Sequence, residues 1–181
     1  MLFQKTELLG AFLIKLEARG DARGMFARTF CVNEFAAHGL ETRFVNQNMS
    51  VSAEQGTLRG MHCQIEPAAE VKVIRCVRGA IFDVIVDIRP DSPTYLKWQG
   101  FELTDQNKDQ LYIPKGFLHG FQTLQDDTEV SYLVSEFYAP EAERGARHDD
   151  PAFGIEWPVP VTVLSDKDAS WADYKASAFK A

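Results

Sequence analysis

The stretch GTLRGMHCQ, residues 56–64, leaves a glycine turn and continues as a predicted strand with one histidine and one glutamine. Alternate side chains of a strand lie on the same face. His62 and Gln64 are therefore expected on one face, and Cys63 on the other. A cysteine beside a histidine suggests a nucleophilic pair, but the alternation separates these two and favours a packing role for Cys63.

Two later stretches complete the candidate site. VKVIRCVR (71–78) is a predicted strand that carries Lys72, and IPKGFLHGF (113–121) brings His119 after a Pro/Gly turn. A metal site needs His, Cys or carboxylate ligands, whereas Gln64 and Lys72 occupy the positions where two of them are expected. Two histidines and a lysine instead favour acid–base chemistry on an organic substrate, with no metal and no other cofactor.

Composition and charge limit the partners. The chain has 181 residues, of which 45% are hydrophobic and 25% charged, as is typical of a globular protein with one sizeable core. The formal net charge of -7 argues against nucleic acid or an anionic membrane as a partner. An anionic small ligand would need a local basic pocket.

The cysteines and the absence of long apolar runs predict the cellular setting. Cys31, Cys63 and Cys76 form an odd and sparse set, which predicts reduced thiols in the cytoplasm. No apolar run is long enough to span a bilayer, and the first residues lack the pattern of a secretory signal. We therefore expect a cytoplasmic protein with no membrane partner.

Short apolar–polar runs separated by Gly, Pro and Asp turns follow one another through most of the chain. The predicted strands lie within residues 3–16, 25–32, 44–52, 56–64, 71–78, 79–89, 96–103, 111–113 and 129–135. Many short strands of this kind predict an all-β closed structure, most simply a jelly roll. Because no repeat, low-complexity tract or linker interrupts the pattern, residues 1–181 are expected to form one domain.

Two short helices are predicted beside the strands. Residues 33–39 read as a helix with Asn33 as N-cap and a glycine stop. Residues 169–180 read as an amphipathic helix whose aromatic side chains dock on the strands, namely Trp171, Tyr174 and Phe179. The charged segment 141–147 is expected to be a loop.

Alternation also places polar side chains on shared faces. Asp83 and Asp87 share a face of the run 79–89, which is compatible with pairing inside a barrel or with exposure to water. Tyr132 shares a face with Val134 and Glu136 on a later strand. Spacing alone does not choose between the two environments for the aspartates.

The motifs together resemble one known family over nearly the whole chain. The likeness rests on RGMH (59–62), Lys72, the run from Gly79 to Arg89, PKGFLHGF (114–121), Tyr132, Tyr138 and LSDKD (164–168). In this order and spacing they resemble the dTDP-4-dehydrorhamnose 3,5-epimerase family. The resemblance implies a cupin-type jelly roll without a metal. It also implies a homodimer in which N-terminal strands contribute to the partner's sheet.

The resemblance further implies a substrate and four catalytic roles. The substrate is a nucleotide-linked 4-keto-6-deoxyhexose, dTDP-linked in the family, which is inverted at C3 and C5. His62 corresponds to the base, and Tyr132 to the acid. Lys72 would place a cation near the enolate oxygen, and Asp168 would orient the histidine.

Substrate-binding residues are implied in the same way. Arg23 and Arg59 match diphosphate contacts, His119 a sugar contact, and Tyr138 the tyrosine that stacks on thymine. Further matching positions are Gln47, Asn48, Glu143 and Lys167. Two departures fall on the nucleotide side: Arg28 stands where well-known members carry a glutamate, and Asn46-Gln47-Asn48 replaces a Gln-Asp-Asn stretch.

Three other functions stay open at this stage. A single-carbon epimerase would keep the same acid and base but invert only C3 or C5. A metal-dependent cupin would need a histidine and a glutamate in place of Gln64 and Lys72. A non-catalytic sugar-nucleotide-binding jelly roll is the third. Taken singly, each candidate also has a structural interpretation, since a histidine in a barrel is more often a hydrogen-bonded structural residue. Rhamnose-type polysaccharide and deoxysugar-decorated small molecules are both compatible end products.

Overall fold

Two antiparallel sheets hold most of the strands in the computed structural model, which describes residues 1–179. The strands are β1 (Leu2–Lys5), β2 (Phe12–Lys15), β3 (Arg19–Asp21), β4 (Gly24–Phe26), β5 (Asn46–Ser52), β6 (Thr57–Gln64), β7 (Lys72–Arg78), β8 (Ala80–Asp87), β9 (Trp98–Thr104), β10 (Gln110–Ile113), β11 (Phe117–Thr123), β12 (Thr128–Val134), β13 (Glu143–Gly145) and β14 (Val163–Leu164). The α-helices are α1 (Val32–Ala37) and α2 (Asp166–Ala169), and 3₁₀ helices span Pro140–Ala142 and Ala176–Phe179. None of the helices described has the length and apolarity needed to cross a membrane.

Strands that follow one another in the chain often lie in different sheets. Sheet I has the order β1-β2-β10-β7-β12-β5, and sheet II has the order β13-β6-β11-β8-β9, with β14 parallel to β6. Thus β7 and β8 are neighbours in sequence but belong to opposite sheets, and so do β10 and β11. This crossing between two facing antiparallel sheets is the predicted jelly roll. The prediction of the fold is confirmed.

Apolar side chains fill part of the space between the sheets and also cover both outer faces. In the central cluster Ile74 and Leu111 of sheet I join Ile81 and Leu103 of sheet II. The outer face of sheet II carries a second cluster, to which the C-terminal segment contributes Phe153, Tyr174 and Phe179. The outer face of sheet I is covered by α1 through the fully buried Phe35. Because β8 is covered on both faces, its sequence is apolar almost throughout instead of alternating.

The N-cap of α1 lies two residues earlier than predicted. Cys31, and not Asn33, occupies the N-cap position with an extended backbone and no side-chain hydrogen bond. The predicted stop at Gly39 is confirmed. Gly39 adopts φ +68°, a left-handed conformation that glycine accepts at low cost after a helix.

One strand prediction and one loop prediction are wrong in extent. The strand predicted over 25–32 ends at Phe26, because β4 pairs only with the three-residue β3. The loop predicted over 141–147 contains β13, which pairs with β6 and sets Glu143 opposite Gln64. The local sequence does not predict this strand, because its partner β6 lies about 80 residues earlier in the chain.

The helix predicted over 169–180 is wrong for the described residues; the prediction for Lys180 lies outside them. The chain forms the short α2 before this segment and the 3₁₀ helix Ala176–Phe179 within it. Trp171 lies against Gly145, where an added Cβ would come within 2.2 Å of the indole ring. Tyr174 and Phe179 pack on the outer face of sheet II, so the docking of the aromatic side chains is confirmed. Trp171 packs against β13 at Gly145, whereas the rings of Tyr174 and Phe179 contact each other, 4.9 Å apart, on the outer face of sheet II.

Strands β6 and β11 approach very closely beside the two candidate histidines. Gly60 has φ +123°, and a Cβ there would lie 2.5 Å from the Cα of Gly120 and 2.8 Å from the carbonyl oxygen of His119. Such contacts are shorter than any side chain accepts without a backbone shift. The glycine therefore permits the spacing that puts His62 and His119 side by side.

We expect Gly60→Ala to lower the free energy of unfolding more than Gly24→Ala, by roughly 1–3 kcal/mol, the usual cost of overpacking. Gly24 has φ +121°, almost the same as Gly60, but a Cβ there meets nothing within 4 Å. The pair thus separates the steric contact from the backbone conformation. Urea unfolding of both variants measures the difference, and equal losses would contradict the close approach of the strands.

Candidate active site

A cavity of about 390 Å³ lies between the two sheets. Its polar lining comes from both sheets and from the segment around α2, and includes Arg59, His62, Lys72, His119, Tyr132 and Asp168. A smaller cleft of about 170 Å³ shares His62, Lys72 and Tyr132 and extends to Asn48, Tyr138 and Glu143. The two spaces therefore adjoin at these three residues, and together they have a size that suits a small-molecule ligand.

Strand register explains why these side chains meet. On sheet II, His119 of β11 is paired directly with His62 of β6. On sheet I, Lys72 of β7 is paired with Val134 of β12, so Tyr132, two residues away on the same face, is its diagonal neighbour. Two imidazoles thus project from one sheet, and an ammonium and a phenol project from the other.

His62 and Asp168 form an imidazole–carboxylate pair. Nε2 of His62 lies 3.5 Å from Oδ1 of Asp168, and the two side chains are 30% and 8% exposed. The backbone N–H of Gly60 donates to Oδ2 of Asp168 over 3.3 Å, and the Ser165 hydroxyl accepts from the backbone N–H of Asp168 over 3.1 Å. Burial alone would raise the pKa of Asp168, but the hydrogen bond and charge of His62, with the Gly60 amide, hold that pKa below its ordinary value. The carboxylate is therefore ionised at neutral pH.

Lys72 pairs with a residue that the sequence reasoning missed. Its Nζ lies 2.9 Å from Oε1 of Glu70, and the two side chains are only 13% and 12% exposed. The signal was present, because residues two apart in extended chain share a face. It was overlooked because Glu70 stands in the turn region before β7.

The buried aspartates of β8 have different partners. Asp83 is fully buried, and its Oδ1 lies 2.8 Å from Nε2 of His119. Its Oδ2 has no hydrogen-bond partner within the described part of the chain. Burial raises the pKa of Asp83, against the opposing effect of His119 and Lys72. Asp87 instead accepts hydrogen bonds from Arg89 and from the hydroxyl groups of the following turn. Asp83 thus lies behind the cavity wall, against His119, and Asp87 holds the turn after β8.

Three further candidates meet at the rim of the smaller cleft. The Tyr138 hydroxyl donates to Oε2 of Glu143 over 2.8 Å, and Nζ of Lys167 lies 2.5 Å from the same oxygen. The ammonium is 5.9 Å from the centre of the Tyr138 ring. Burial would raise the pKa of Glu143, but the hydrogen bonds from Lys167 and Tyr138 lower it. The unexpected strand β13 is what brings Glu143 to this position.

The remaining candidates divide into two groups. Arg59 lines the cavity, and its guanidinium donates to the Ser52 hydroxyl and the Val51 carbonyl, both over 3.2 Å. Asn48 lines the smaller cleft. Gln47 points to the other face of β5, where its amide donates to Ser131 over 3.2 Å. Arg23 is 89% exposed on the β3–β4 hairpin and pairs with Asp21. The structure therefore does not bring Arg23 and Gln47 into the cavity of the same chain.

The apolar part of the lining was also missed. Leu58, Ile74, Phe121 and Leu164 form walls of the cavity beside the polar groups. Their only sequence signal is alternation, which does not distinguish a cavity wall from a packed core. Such walls exclude water and strengthen the electrostatic interactions of the groups they surround.

Neither a reactive thiol nor a metal-ligand cluster is found among the described residues of the site, although Cys63 borders the smaller cleft. Cys63 lies on the outer face of sheet II, as the alternation predicts, and burial raises the pKa of its thiol to about 12. In residues 1–179, no three His, Cys, Asp or Glu side chains are close enough to hold a metal ion together. The ionisable groups in the cavity are thus suited to proton transfer and charge stabilisation.

Comparisons with known proteins agree in sequence and in fold. The chain matches the family model of dTDP-4-dehydrorhamnose 3,5-epimerase over residues 5–176. A protein named dTDP-4-dehydrorhamnose 3,5-epimerase from Sinorhizobium fredii is 47% identical over 171 residues, which cover 94% of this chain and 88% of the relative. The crystal structure of dTDP-4-dehydrorhamnose 3,5-epimerase from Bacillus anthracis, with TDP and PPi bound, has a TM-score of 0.92 and 41% identity, covering 96% of this chain and 99% of that chain. A 3'-monoepimerase from Streptomyces bikiniensis in complex with dTDP-quinovose has a TM-score of 0.86 and 33% identity, covering 93% and 85%.

The lowered pKa of Asp168 predicts how stability depends on pH. A carboxyl group with a lowered pKa in the folded state stabilises the fold fully above its unfolded pKa of about 4, and this contribution is lost as the pH falls through the folded pKa. We expect Asp168→Asn to cost roughly 1–2 kcal/mol between about pH 5 and pH 8, and the difference from the unsubstituted protein to shrink below about pH 4.

Denaturant unfolding across this pH range measures the effect. Asp166→Asn is the matched control, because Asp166 is exposed on the same short helix, and it should change stability little at any pH. If Asp168→Asn has no effect on stability at about pH 5 and becomes destabilising only as the pH rises toward about 7, the result would contradict an Asp168 that is ionised and stabilising.

Proposed function

The chain belongs to the dTDP-4-dehydrorhamnose 3,5-epimerase family, and on this premise we propose that it inverts C3 and C5 of a dTDP-linked 4-keto-6-deoxyhexose. Hydrogens on both carbons are acidic because each carbon neighbours the C4 carbonyl. Removal of either proton leaves an enolate whose negative charge rests on the C4 oxygen. Return of a proton to the opposite face of the ring inverts the carbon.

One observation carries the proposal: the candidate base and the candidate acid project into the same cavity from opposite sheets. His62 belongs to β6 of sheet II, and Tyr132 to β12 of sheet I. A sugar ring between the sheets has an imidazole on one face and a phenol on the other. Inversion requires this arrangement, because a base and an acid on the same face would return the proton to the side it came from.

Two charged groups support the transfer. The side chain of Lys72 is a diagonal neighbour of Tyr132 and is largely buried at the cavity. A cation there stabilises the charge that develops on the C4 oxygen and on the phenolate after it has given up its proton. The ionised Asp168 orients the ring of His62 and stabilises the imidazolium that forms when it takes the proton.

His119 and Asp83 add a second imidazole–carboxylate pair at the wall of the cavity. Since Asp83 occupies Nε2 of the ring, the other ring nitrogen remains for a substrate hydroxyl or carbonyl group. His119 is 7% exposed, and its strand is paired with the strand of the base. We assign it to holding the sugar beside His62.

The nucleotide part has a place at the mouth of the site. Arg59 is exposed there, and two of its N–H groups are already anchored to protein oxygen atoms, so the remaining ones are free to bind diphosphate. Tyr138 offers an exposed ring on which the nucleobase can stack, with Glu143 and Lys167 beside it. The chain has a net charge of -7, and Arg59 and Lys167 supply the local positive charge that an anionic ligand needs.

Arg23 and the free sheet edge support a homodimer. Strand β5 is an edge of sheet I, and it exposes Met49 at 67% and Val51 at 49%. The β3–β4 hairpin exposes Phe26 at 70% close to Arg23. Unpaired edges and exposed apolar side chains favour association. We therefore assign Arg23 to the diphosphate site of a second copy of the chain, where the N-terminal strands add to the partner's sheet.

The organisation and setting of the enzyme follow as further proposals. Apolar clusters shared between strands from distant parts of the chain support a single domain over residues 1–181. The cysteines are all free, as expected of a cytoplasmic enzyme. The chemistry requires no metal and no organic cofactor, since the carbonyl group of the substrate itself activates both carbons.

A single-carbon epimerase is the second candidate, since the related enzyme from Streptomyces bikiniensis is named a 3'-monoepimerase. It would use the same base and acid. The two candidates differ only in whether one or both carbons reach the base, and they are separated by labelling each carbon.

In deuterated water with dTDP-4-keto-6-deoxyglucose, we expect deuterium to enter both C3 and C5, with inversion at both. His62→Asn should slow exchange and inversion by about 100-fold or more, because the base is gone. Tyr132→Phe should slow inversion far more than exchange, since His62 still removes the proton and can return a deuteron to the same face. NMR of each carbon reads both quantities.

His38→Asn is the matched control, because His38 is exposed at the end of α1, and it should leave both rates unchanged. Label at one carbon only would indicate the single-carbon epimerase. No label in the unsubstituted protein would contradict the proposed function.

Complementation tests whether Arg23 acts in the partner's site. Arg23→Ala alone should weaken binding of the sugar nucleotide roughly 10-fold or more, and His62→Asn alone should be inactive. A mixed dimer of the two variants contains one intact site if Arg23 reaches across, so co-expressed chains should regain activity at low substrate concentration. If Arg23 serves its own chain, each site of the mixed dimer has one defect and activity stays low. Sedimentation should give twice the chain mass of 20.4 kDa.

A further inference from the structure

Glu70 and Gln64 form a hydrogen-bonded link that has no role in the chemistry described above. Both residues line the smaller cleft, together with Lys72. Glu70 stands in the connection between β6 and β7, two residues before Lys72. Gln64 is the last residue of β6 and is 4% exposed.

Each carboxylate oxygen of Glu70 has its own partner. Oε1 lies 2.9 Å from Nζ of Lys72, and Oε2 accepts from Nε2 of Gln64 over 3.2 Å. The carboxylate is therefore held from both sides. Its position is set by Gln64, and it in turn sets the position of the ammonium.

The amide of Gln64 is also anchored at several points. Its Nε2 also lies 2.9 Å from the Ala68 carbonyl and 3.1 Å from the Phe137 carbonyl, so its two N–H groups are shared among these oxygens and Oε2 of Glu70. Its Oε1 accepts from the backbone N–H of Ala139 over 2.6 Å. These contacts tie the end of β6 to the backbone on both sides of Tyr138. The same side chain thus connects the segment that carries the exposed tyrosine with the partner of Lys72.

We propose that Glu70 is a positioning residue for Lys72, and that Gln64 holds Glu70 in place. The proposal deepens the function given above and depends on it. A lysine side chain carries its charge at the end of a flexible four-carbon chain, so the ammonium is mobile unless a partner holds it. The ion pair with Glu70 holds the ammonium at the cavity wall, from where its N–H groups can reach the oxygen that becomes negative.

The charge balance agrees with this role. With both side chains nearly 90% buried, an unpaired ammonium would be costly to keep in the cavity. The pair with Glu70 offsets this cost without a ligand. When the enolate forms, the ammonium meets the new charge with no rearrangement, which is the condition under which electrostatic stabilisation lowers a barrier most.

Glu70→Gln tests the proposal, with Glu66→Gln as matched control. Glu66 lies in the same connection and pairs with Lys115 over 3.6 Å, but those side chains are 59% and 49% exposed. We expect Glu70→Gln to lower kcat on the order of 10-fold or more, because a small displacement of a catalytic charge is costly. KM and the affinity for TDP should change little, and Glu70→Asp, which keeps the charge, should recover part of kcat. Glu66→Gln should match the unsubstituted enzyme.

A double-mutant cycle with Lys72→Met shows whether Glu70 acts through the lysine. In the Lys72→Met background, residual deuterium exchange should not depend on the carboxylate of Glu70, so Glu70→Gln should add no further loss. Thermal unfolding should show the coupling as well. Lys72→Met alone leaves a buried carboxylate without its partner, and adding Glu70→Gln should raise the melting temperature again.

The outcomes distinguish a failure of the proposed function from a failure of the positioning role of Glu70. If the unsubstituted enzyme exchanges no deuterium, the proposed function fails, and the melting temperatures still report the ion pair. If it exchanges deuterium and Glu70→Gln behaves as Glu66→Gln does, the positioning role is overturned. A further loss in the Lys72→Met background would also overturn it, since Glu70 would then act independently of Lys72.

Discussion

Pairing of buried charge is the constraint on which the cavity depends. Ionisable side chains between two apolar sheets cannot keep their charge unless a partner lies within hydrogen-bonding distance. The cavity meets this condition with Lys72 beside Glu70, His62 beside Asp168, and His119 beside Asp83. Lys72, His62 and His119 therefore each have a fixed carboxyl neighbour, and the cavity holds these groups without a ligand.

The jelly roll supplies the second condition, which is access to both faces of a ring. In one part of the molecule, apolar side chains such as Ile81 and Leu111 fill the space between the two sheets. Elsewhere the same inward faces carry His62 and Tyr132 around an open space. The apolar cluster keeps the two sheets at a fixed separation. The cavity lies between the same two sheets, so its opposite walls are held at that separation as well. The proposed epimerisation needs this rigidity, since the acid and base must stay on opposite sides of the sugar.

Much of the site could be predicted from the sequence because it follows period-two alternation and the order of the family's motifs. Alternation separates His62 from Cys63, and the structure agrees. The family resemblance supplied Asp168, although nothing local connects a residue so near the C-terminus with the strand of His62. Glu70, β13 and the partners of Asp83 were not found, because pairing between distant segments leaves little trace in either segment. The predicted C-terminal helix failed for a related reason: the aromatic rings are held by residues outside the segment, Trp171 at Gly145 and Tyr174 at Phe153, and amphipathic spacing does not show such contacts.

The sequence by itself determined the class of fold, most of the strands and turns, and the set of side chains able to move a proton, since these depend on local pattern and residue type. Only the tertiary structure decided which of those side chains share a cavity, and which carboxylate serves which cation. It placed Arg23 and Gln47 outside the cavity of their own chain, and it put His62 and Tyr132 on facing sheets. The physical reason is that alternation specifies a face of a strand, whereas the partner across a sheet or a cavity depends on register and crossing connections between residues far apart in the chain.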